Sequence, residues 1–180
     1  MVKHRIIVFA VALMISGVIP VMAQEPAGLP QPSPEHKKLA AFLGTWKDEA
    51  EMKPSPFGPG VKFTIVETCE WFTGGFSLVC HSETTGFLGQ KTLTVLTYDP
   101  EDKVYLFYEF NSLGQTNSAK GTVEGDTWTW NGESKVGGKL VKSRTTIKLP
   151  TPDSATFKSE VSVGGGPSSL LMELKGTRLK

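Results

Sequence analysis

Two cysteines, one histidine and two acids near the middle of the chain are the residues whose types and spacing invite chemistry. Cys69 and Cys80 are the chain's two cysteines. They flank Thr73-Gly74-Gly75, a turn signal between two apolar runs. If Gly74-Gly75 is the centre of a hairpin, Cys69 lies directly opposite Cys80. Cross-strand neighbours sit roughly 4.5–5.5 Å apart at Cβ, close to what a bridge needs. A four-residue loop from Thr73 to Phe76 would set the pair at the closer, non-hydrogen-bonded site. A disulfide is expected rather than two free thiols, and the spacing excludes C-x-x-C redox chemistry. Glu67 falls on the inward face of the first hairpin strand, opposite Ser82. A buried carboxylate is costly unless paired, so Glu67 either sits at a wet mouth or meets a ligand or cation.

Catalytic and cofactor patterns are otherwise missing. His81 and Glu70 share the outward face of the cysteine hairpin, where an exposed pair is normally solvated; no metal site is expected there. The sequence has no G-x-S-x-G, no H-E-x-x-H and no phosphate loop, so no catalytic residues and no cofactor are assigned. Gly164-Gly165-Gly166 lies between two strand patterns and reads as a turn. Haem ligation inside a barrel would need an inward histidine, and His81 has the wrong parity unless a one-residue bulge reverses it. The aromatic residues are more suggestive. Phe63, Trp71, Phe76, Tyr108, Phe110, Trp128 and Trp130, together with Glu67, are candidates to line a ligand pocket; alternatively they fill the interior.

Strands must position these residues. The first residues read as an export signal: basic Lys3, His4 and Arg5, an apolar run from Ile6 to about Val21, then Val21-Met22-Ala23 with cleavage expected before Gln24. The run is shorter than the roughly 20 residues a bilayer span prefers, so no membrane span is expected after processing. Losing residues 1–23 removes two positive charges and no acid, which moves the formal charge from +1 to −1. Near-neutral, interspersed charge argues against nucleic acid and against a polybasic membrane surface. Residues 24–34 form a proline-rich leader, with Pro26, Pro30, Pro32 and Pro34. Residues 35–180 are expected to be one domain.

Ser33-Pro34-Glu35 is a helix start and Gly44 a helix stop, giving about ten residues of helix that must dock to survive. From Trp46 the period becomes two: Trp46, Asp48, Ala50 and Met52 alternate with Lys47, Glu49, Glu51 and Lys53, and the charged set must face water. About ten strands follow, each ended by a short turn. In the strand from Val104 to Phe110, parity is read with Tyr108 inward and Glu109 outward. Every connection is hairpin-length, so the expected architecture is all-β: a single closed up-and-down antiparallel barrel of about ten strands with one short N-terminal helix.

The ends of the chain resemble a known group. Gly44-Thr45-Trp46 resembles the Gly-x-Trp signature of calycins (lipocalins, fatty-acid-binding proteins and relatives), and Gly176-Thr177-Arg178-Leu179 resembles the arginine that packs across that tryptophan. The resemblance implies structural roles for Trp46 and Arg178, worth about 0.5–2 kcal/mol as a desolvated cation–π pair. Glu35-His36-Lys37-Lys38-Leu39, Thr68-Cys69-Glu70-Trp71-Phe72 and Lys120-Gly121-Thr122-Val123-Glu124-Gly125-Asp126-Thr127-Trp128 resemble a family of exported bacterial proteins classed as a domain of unknown function. That likeness runs from about Pro34 to the C-terminus. It implies a calycin-like barrel and no assigned activity. The fatty-acid binders place a helical lid where this chain has only Pro54 to Gly60, and Arg144 is expected to point outward, so their carboxylate clamp is not reproduced. The function expected is an exported, non-catalytic protein, periplasmic or secreted, that binds a small apolar ligand. The alternatives are a protein–protein module such as a periplasmic hydrolase inhibitor, with Pro54 to Gly60 projecting, and a haem-dependent barrel enzyme with an inward His81. The oligomeric state is not legible.

Overall fold

The computed structural model describes residues 28–179. The expected signal peptide, residues 1–23, and the first part of the leader lie outside the described residues. Gln31–Lys180 forms one compact unit.

The chain opens with a helical segment. The α-helix α1 spans Pro34–Lys38 and continues as a 3-10 turn over Leu39–Phe42. Pro34 supplies the preset backbone angle of a first helical residue, and the Ser33 hydroxyl accepts from the His36 amide at 3.4 Å. His36 completes the cap by taking the Ser33 amide on Nδ1 at 3.2 Å. Gly44 then turns the chain out of the helix with φ +93°, a conformation that favours glycine. Of the expected ten helical residues only the first five are α-helical. The tightening to 3-10 brings Leu39 into the core, fully buried.

Ten strands follow: β1 (Gly44–Met52), β2 (Val61–Trp71), β3 (Ser77–Thr85), β4 (Lys91–Asp99), β5 (Val104–Asn111), β6 (Thr116–Glu124), β7 (Thr127–Val136), β8 (Lys139–Thr151), β9 (Ser154–Val163) and β10 (Ser169–Leu179). Each pairs antiparallel with its sequence neighbours, and β1 pairs with β10, so the sheet closes into a barrel without a free edge. The fold is therefore an all-β up-and-down barrel.

The register fixes which side chains point inward. Trp46 faces Glu67, Glu67 faces Ser82, Ser82 faces Thr92 and Thr92 faces Asn111 around one row of the wall. The next row runs Cys69, Cys80, Thr94, Glu109, Asn117. This row corrects the parity of β5. Tyr108 and Phe110 lie on the outer face, 41% and 48% exposed, and Glu109 points inward. The reason is that β5, Val-Tyr-Leu-Phe-Tyr-Glu-Phe-Asn, is apolar on both faces. Tyr105 and Phe107 compete with Tyr108 and Phe110 for the interior, and the pairing Tyr98 to Tyr105 after the Asp99–Asp102 turn decides for the first pair.

The large buried side chains gather at one end of the barrel. The helical segment lies across the floor, where β1 begins. Leu39, Leu78, Leu96, Tyr105, Trp128 and Trp130 form a buried cluster there, joined by Phe42, Leu43, Trp71 and Ile147. Phe42 meets Trp128 edge-on at 4.9 Å between ring centres, and Tyr105 meets Trp128 at 4.7 Å. The opposite end is a mouth ringed by the loops at 53–60, 86–90, 112–115, 137–138 and 164–168.

Candidate functional site

The floor is locked by residues from both ends of the chain. Trp46 donates its indole N–H to the Phe42 carbonyl at 3.1 Å. The Arg178 guanidinium carbon lies 4.4 Å from the Trp46 ring centre. The same guanidinium donates to the carbonyls of Leu43, Ala41 (3.1 Å) and Pro152 (2.8 Å), so three carbonyls on two segments share one planar donor. From the other side the Tyr105 hydroxyl donates to the Glu35 carboxylate at 2.8 Å, and burial together with that carboxylate raises its pKa well above the usual tyrosine range. Lys38 and Tyr105 hold the Glu35 carboxyl below its ordinary value. These contacts anchor the helix; none leaves a group free to receive a ligand.

Above the aromatic cluster the interior changes character. Cys69 and Cys80 are joined in a disulfide, as the hairpin register requires. At and above this level the inner wall carries Asp48, Glu67, Ser82, Thr94, Glu109, Asn117, Thr145 and Ser159. Thr145 donates to Ser159 at 3.2 Å, and Asn117 donates to Glu109 at 2.9 Å. Asp48 sits against Gly176, where even a Cβ would come within 2.5 Å of its carboxylate. Glu67 lies diagonally across from Asp48 on the neighbouring strand.

The two acids are strongly perturbed. Burial lifts Asp48 to about 6. Glu67 is pushed up to about 7, first by burial and then by the charges of Asp48 and Glu109. Water still touches Glu67, yet protein surrounds the side chain almost completely. It therefore faces the hollow of the barrel rather than bulk solvent.

That hollow shows as inward side chains that stay partly exposed within the closed wall: Glu67 and Ser82 at one level, and Phe63, Phe157 and Leu174, its apolar lobe, nearer the mouth. Two depressions also cross the wall. One, of about 780 Å³, is lined by outward Glu49, Lys62, Lys158 and Lys175 as well as by Ala50, Phe63, Phe157 and Leu174. The other, of about 620 Å³, lies among outward Val66, His81, Leu93 and Phe110, with Ser82, Thr92 and Asn111 between them. Ser82 is the direct cross-strand partner of Glu67.

The sequence-derived pocket residues thus part company. Phe63 and Glu67 reach the hollow. Trp128 and Trp130, 2% and 5% exposed, are spent on the floor cluster, with Trp71 packed against it. Phe76 stands edge-on to His36, 5.2 Å between ring centres, beside the helix. Tyr108 and Phe110 are outside. Asp48 and Glu109, which the sequence reading did not single out, join Glu67 on the inner wall. The alternating pattern Trp46, Asp48, Ala50, Met52 was the available signal for the first; nothing local marks the second.

Two further arrangements are settled by geometry. Glu67, Cys69 and Cys80 place potential ligand atoms within 4.8 Å of one another, but the disulfide commits both sulfurs. The contact of Cys69 Sγ with Glu67 at 3.7 Å is sulfur against oxygen, since a disulfide carries no hydrogen to donate. His81 pairs with Thr68 and Leu93 in unbroken register and is exposed on the outer face, as is Glu70. No bulge turns His81 inward.

Comparison with solved structures gives likeness of fold. Rv2717c from M. tuberculosis superposes with a TM-score of 0.58 at 12% identity, covering 83% of this chain and all of the other. The S-type phycobiliprotein lyase CPES from Guillardia theta superposes with a TM-score of 0.47 at 11% identity, over 81% of this chain and 93% of that one. No curated protein matches the sequence. A family described as "Protein of unknown function (DUF1579)" matches residues 31–178, nearly the whole barrel and its helix, and the chain belongs to that family.

Proposed function

We propose that this protein is a non-catalytic binder of a small, largely apolar molecule, held in the open half of the barrel, and that it works outside the reducing cytoplasm. The observation that carries the reading is the contrast within one closed wall. Side chains and a docked helix fill the floor, while toward the mouth inward Phe63, Phe157 and Leu174 stay partly exposed inside the closed wall. A ten-strand barrel is wider than the roughly eight strands whose interior side chains can just fill, so a hollow is the natural consequence of closure at this width. The export reading rests on the basic-then-apolar start of the sequence and on the disulfide, which persists in oxidising compartments.

The rival readings have less behind them. A hydrolase inhibitor needs no hollow, and the loop Pro54 to Gly60 is a tight turn closed by Ser55 and Gly58 rather than an extended projection. A haem enzyme needs an inward histidine; His81 faces outward and His36 is bound into the helix cap.

The test is a fluorescence titration with the neutral apolar dye N-phenyl-1-naphthylamine. Bright, saturable binding by the purified protein, abolished by Leu174→Trp, which plugs the apolar lobe, is the expected result. Dye that stays dark, or that binds the plugged variant equally well, overturns the reading.

A further inference from the structure

We infer that the hollow selects a ligand bearing a cationic nitrogen, a lipophilic amine whose ammonium group is held by the Glu67 carboxylate with Asp48 beside it, and whose hydrocarbon part lies against Ala50, Phe63, Phe157 and Leu174. The inference rests on the binding role proposed above and narrows it to a chemical class.

The first support is a missing partner. Glu67 points inward by register and is largely enclosed by protein, and among the described residues no hydrogen-bond donor reaches it; the Cys69 sulfur 3.7 Å away is in a disulfide and has no hydrogen. Asp48 likewise makes no hydrogen bond or ion pair among the described residues. Only Glu109 has a donor, from Asn117. Buried carboxylates are ordinarily paired, and leaving one unpaired costs free energy that a fold does not spend without return.

The second support is the distribution of positive charge. By register, Lys47, Lys62, Lys91, Lys120, Lys142, Lys158 and Lys175 all point outward, and Arg144 is exposed. Arg178 points inward but is committed to Trp46 and three carbonyls at the floor. Lys139 occupies an inward position only at the rim, where it is exposed. Among the described residues the outer face carries both signs, whereas the inner wall carries three acids, Asp48, Glu67 and Glu109, and no cation at their level.

The third support is the shape of what is left. An ammonium group brings three donors and no acceptor, matching a wall that offers carboxylate and hydroxyl oxygens at Glu67, Asp48 and Ser82. A bare divalent ion would want about six to eight oxygens and no hydrocarbon. The apolar lobe next to the acids has no use in that case, whereas it suits the tail of an amphipathic amine. The raised Asp48 and Glu67 values fit the same picture, since an anionic site without its cation resists ionising.

The experiment is competition against N-phenyl-1-naphthylamine at pH 8 with three probes of equal chain length: octylammonium, 1-octanol and octanoate. Octylammonium is expected to displace the dye at tenfold or more lower concentration than octanol, the gain of one charge-assisted hydrogen bond, with octanoate weakest. Glu67→Gln, isosteric and uncharged, is expected to bring octylammonium and octanol within about threefold of one another while leaving octanol unchanged; Asp48→Asn is expected to fall between. Equal displacement by octanol, displacement by octanoate as good as by octylammonium, or a preference that survives Glu67→Gln overturns the inference and leaves the binding role standing. Failure of the dye itself to bind removes both.

Discussion

The two ends of the barrel follow opposite rules. At the floor large aromatic and aliphatic side chains fill the inward positions, Gly121 leaves room for the Trp130 ring, and the helix seals what the strands leave open. Toward the mouth the same ten strands mix acids and hydroxyls, Glu67, Ser82 and Ser159 among them, with apolar side chains such as Phe63, Phe157 and Leu174 that stay partly exposed. The wall is continuous, so the difference does not come from backbone. It comes from which residues fill the inward positions, and it separates the part of the molecule that supplies stability from the part that is left free to bind. The disulfide lies at the boundary, between Leu78 and Trp71 on one side and Glu67 and Ser82 on the other.

The comparison can be broken most directly by truncating one aromatic at each end. Trp128→Ala, at a site 2% exposed within the floor cluster, should cost about 3–5 kcal/mol, read as a lowered urea midpoint. Phe157→Ala, which borders the apolar lobe and already faces space, should cost only about 1 kcal/mol. Similar losses at the two sites would mean that the mouth half is as tightly packed as the floor. The boundary can be probed next. Replacing Cys69 and Cys80 together by alanine, which frees a loop of sequence separation 11, should lower stability by about 3 kcal/mol in the same assay. A change near zero would show that the hairpin needs no tie.

The smallest effect sharpens the contrast through pH. Glu67 keeps its proton in the folded protein up to about 7, whereas the unfolded chain releases it near 4.5. Between those values the native state binds the extra proton, so stability falls as pH rises and stays low above 7. Asp48 adds a similar fall between 3.8 and about 6. Glu67→Gln should therefore stabilise the protein by about 2 kcal/mol at pH 8, less than the whole shift because water reaches the hollow, and by almost nothing at pH 4.5. Urea midpoints at the two pH values measure it. A variant equally or less stable at pH 8 would place Glu67 in contact with water or with a donor.

The sequence carries much of this organisation in local signals. Ser33-Pro34 caps the helix, the glycine-bearing turns delimit the strands, and Thr73-Gly74-Gly75 sets Cys69 opposite Cys80. Trp46 and Arg178 lie at opposite ends of the chain, and closure of the barrel makes them direct partners. Glu67 could be put inside because its strand alternates cleanly. Glu109 could not. In β5 both faces are apolar, so a period of two gives no phase, and only pairing with β4 reveals which face is inner. Nor does any local pattern tell that Trp128 and Trp130 belong to a solid floor while Phe63 borders a hollow. That depends on where the helix docks, a contact between residues about 90 positions apart, Phe42 against Trp128.

Arg178 bears on how the molecule comes into being. Its donors grip carbonyls 135 and 137 positions back along the chain. Until the final strand arrives, β1 has an unpaired edge and the helical segment lacks its clasp, so the earlier hairpins must wait in an unsealed, aggregation-prone curl. Synthesis order makes this tether the last to form, and a chain shortened by three residues would lose the grip on the helical segment while keeping the ladder from Lys47 and Thr177 to Met52 and Met172.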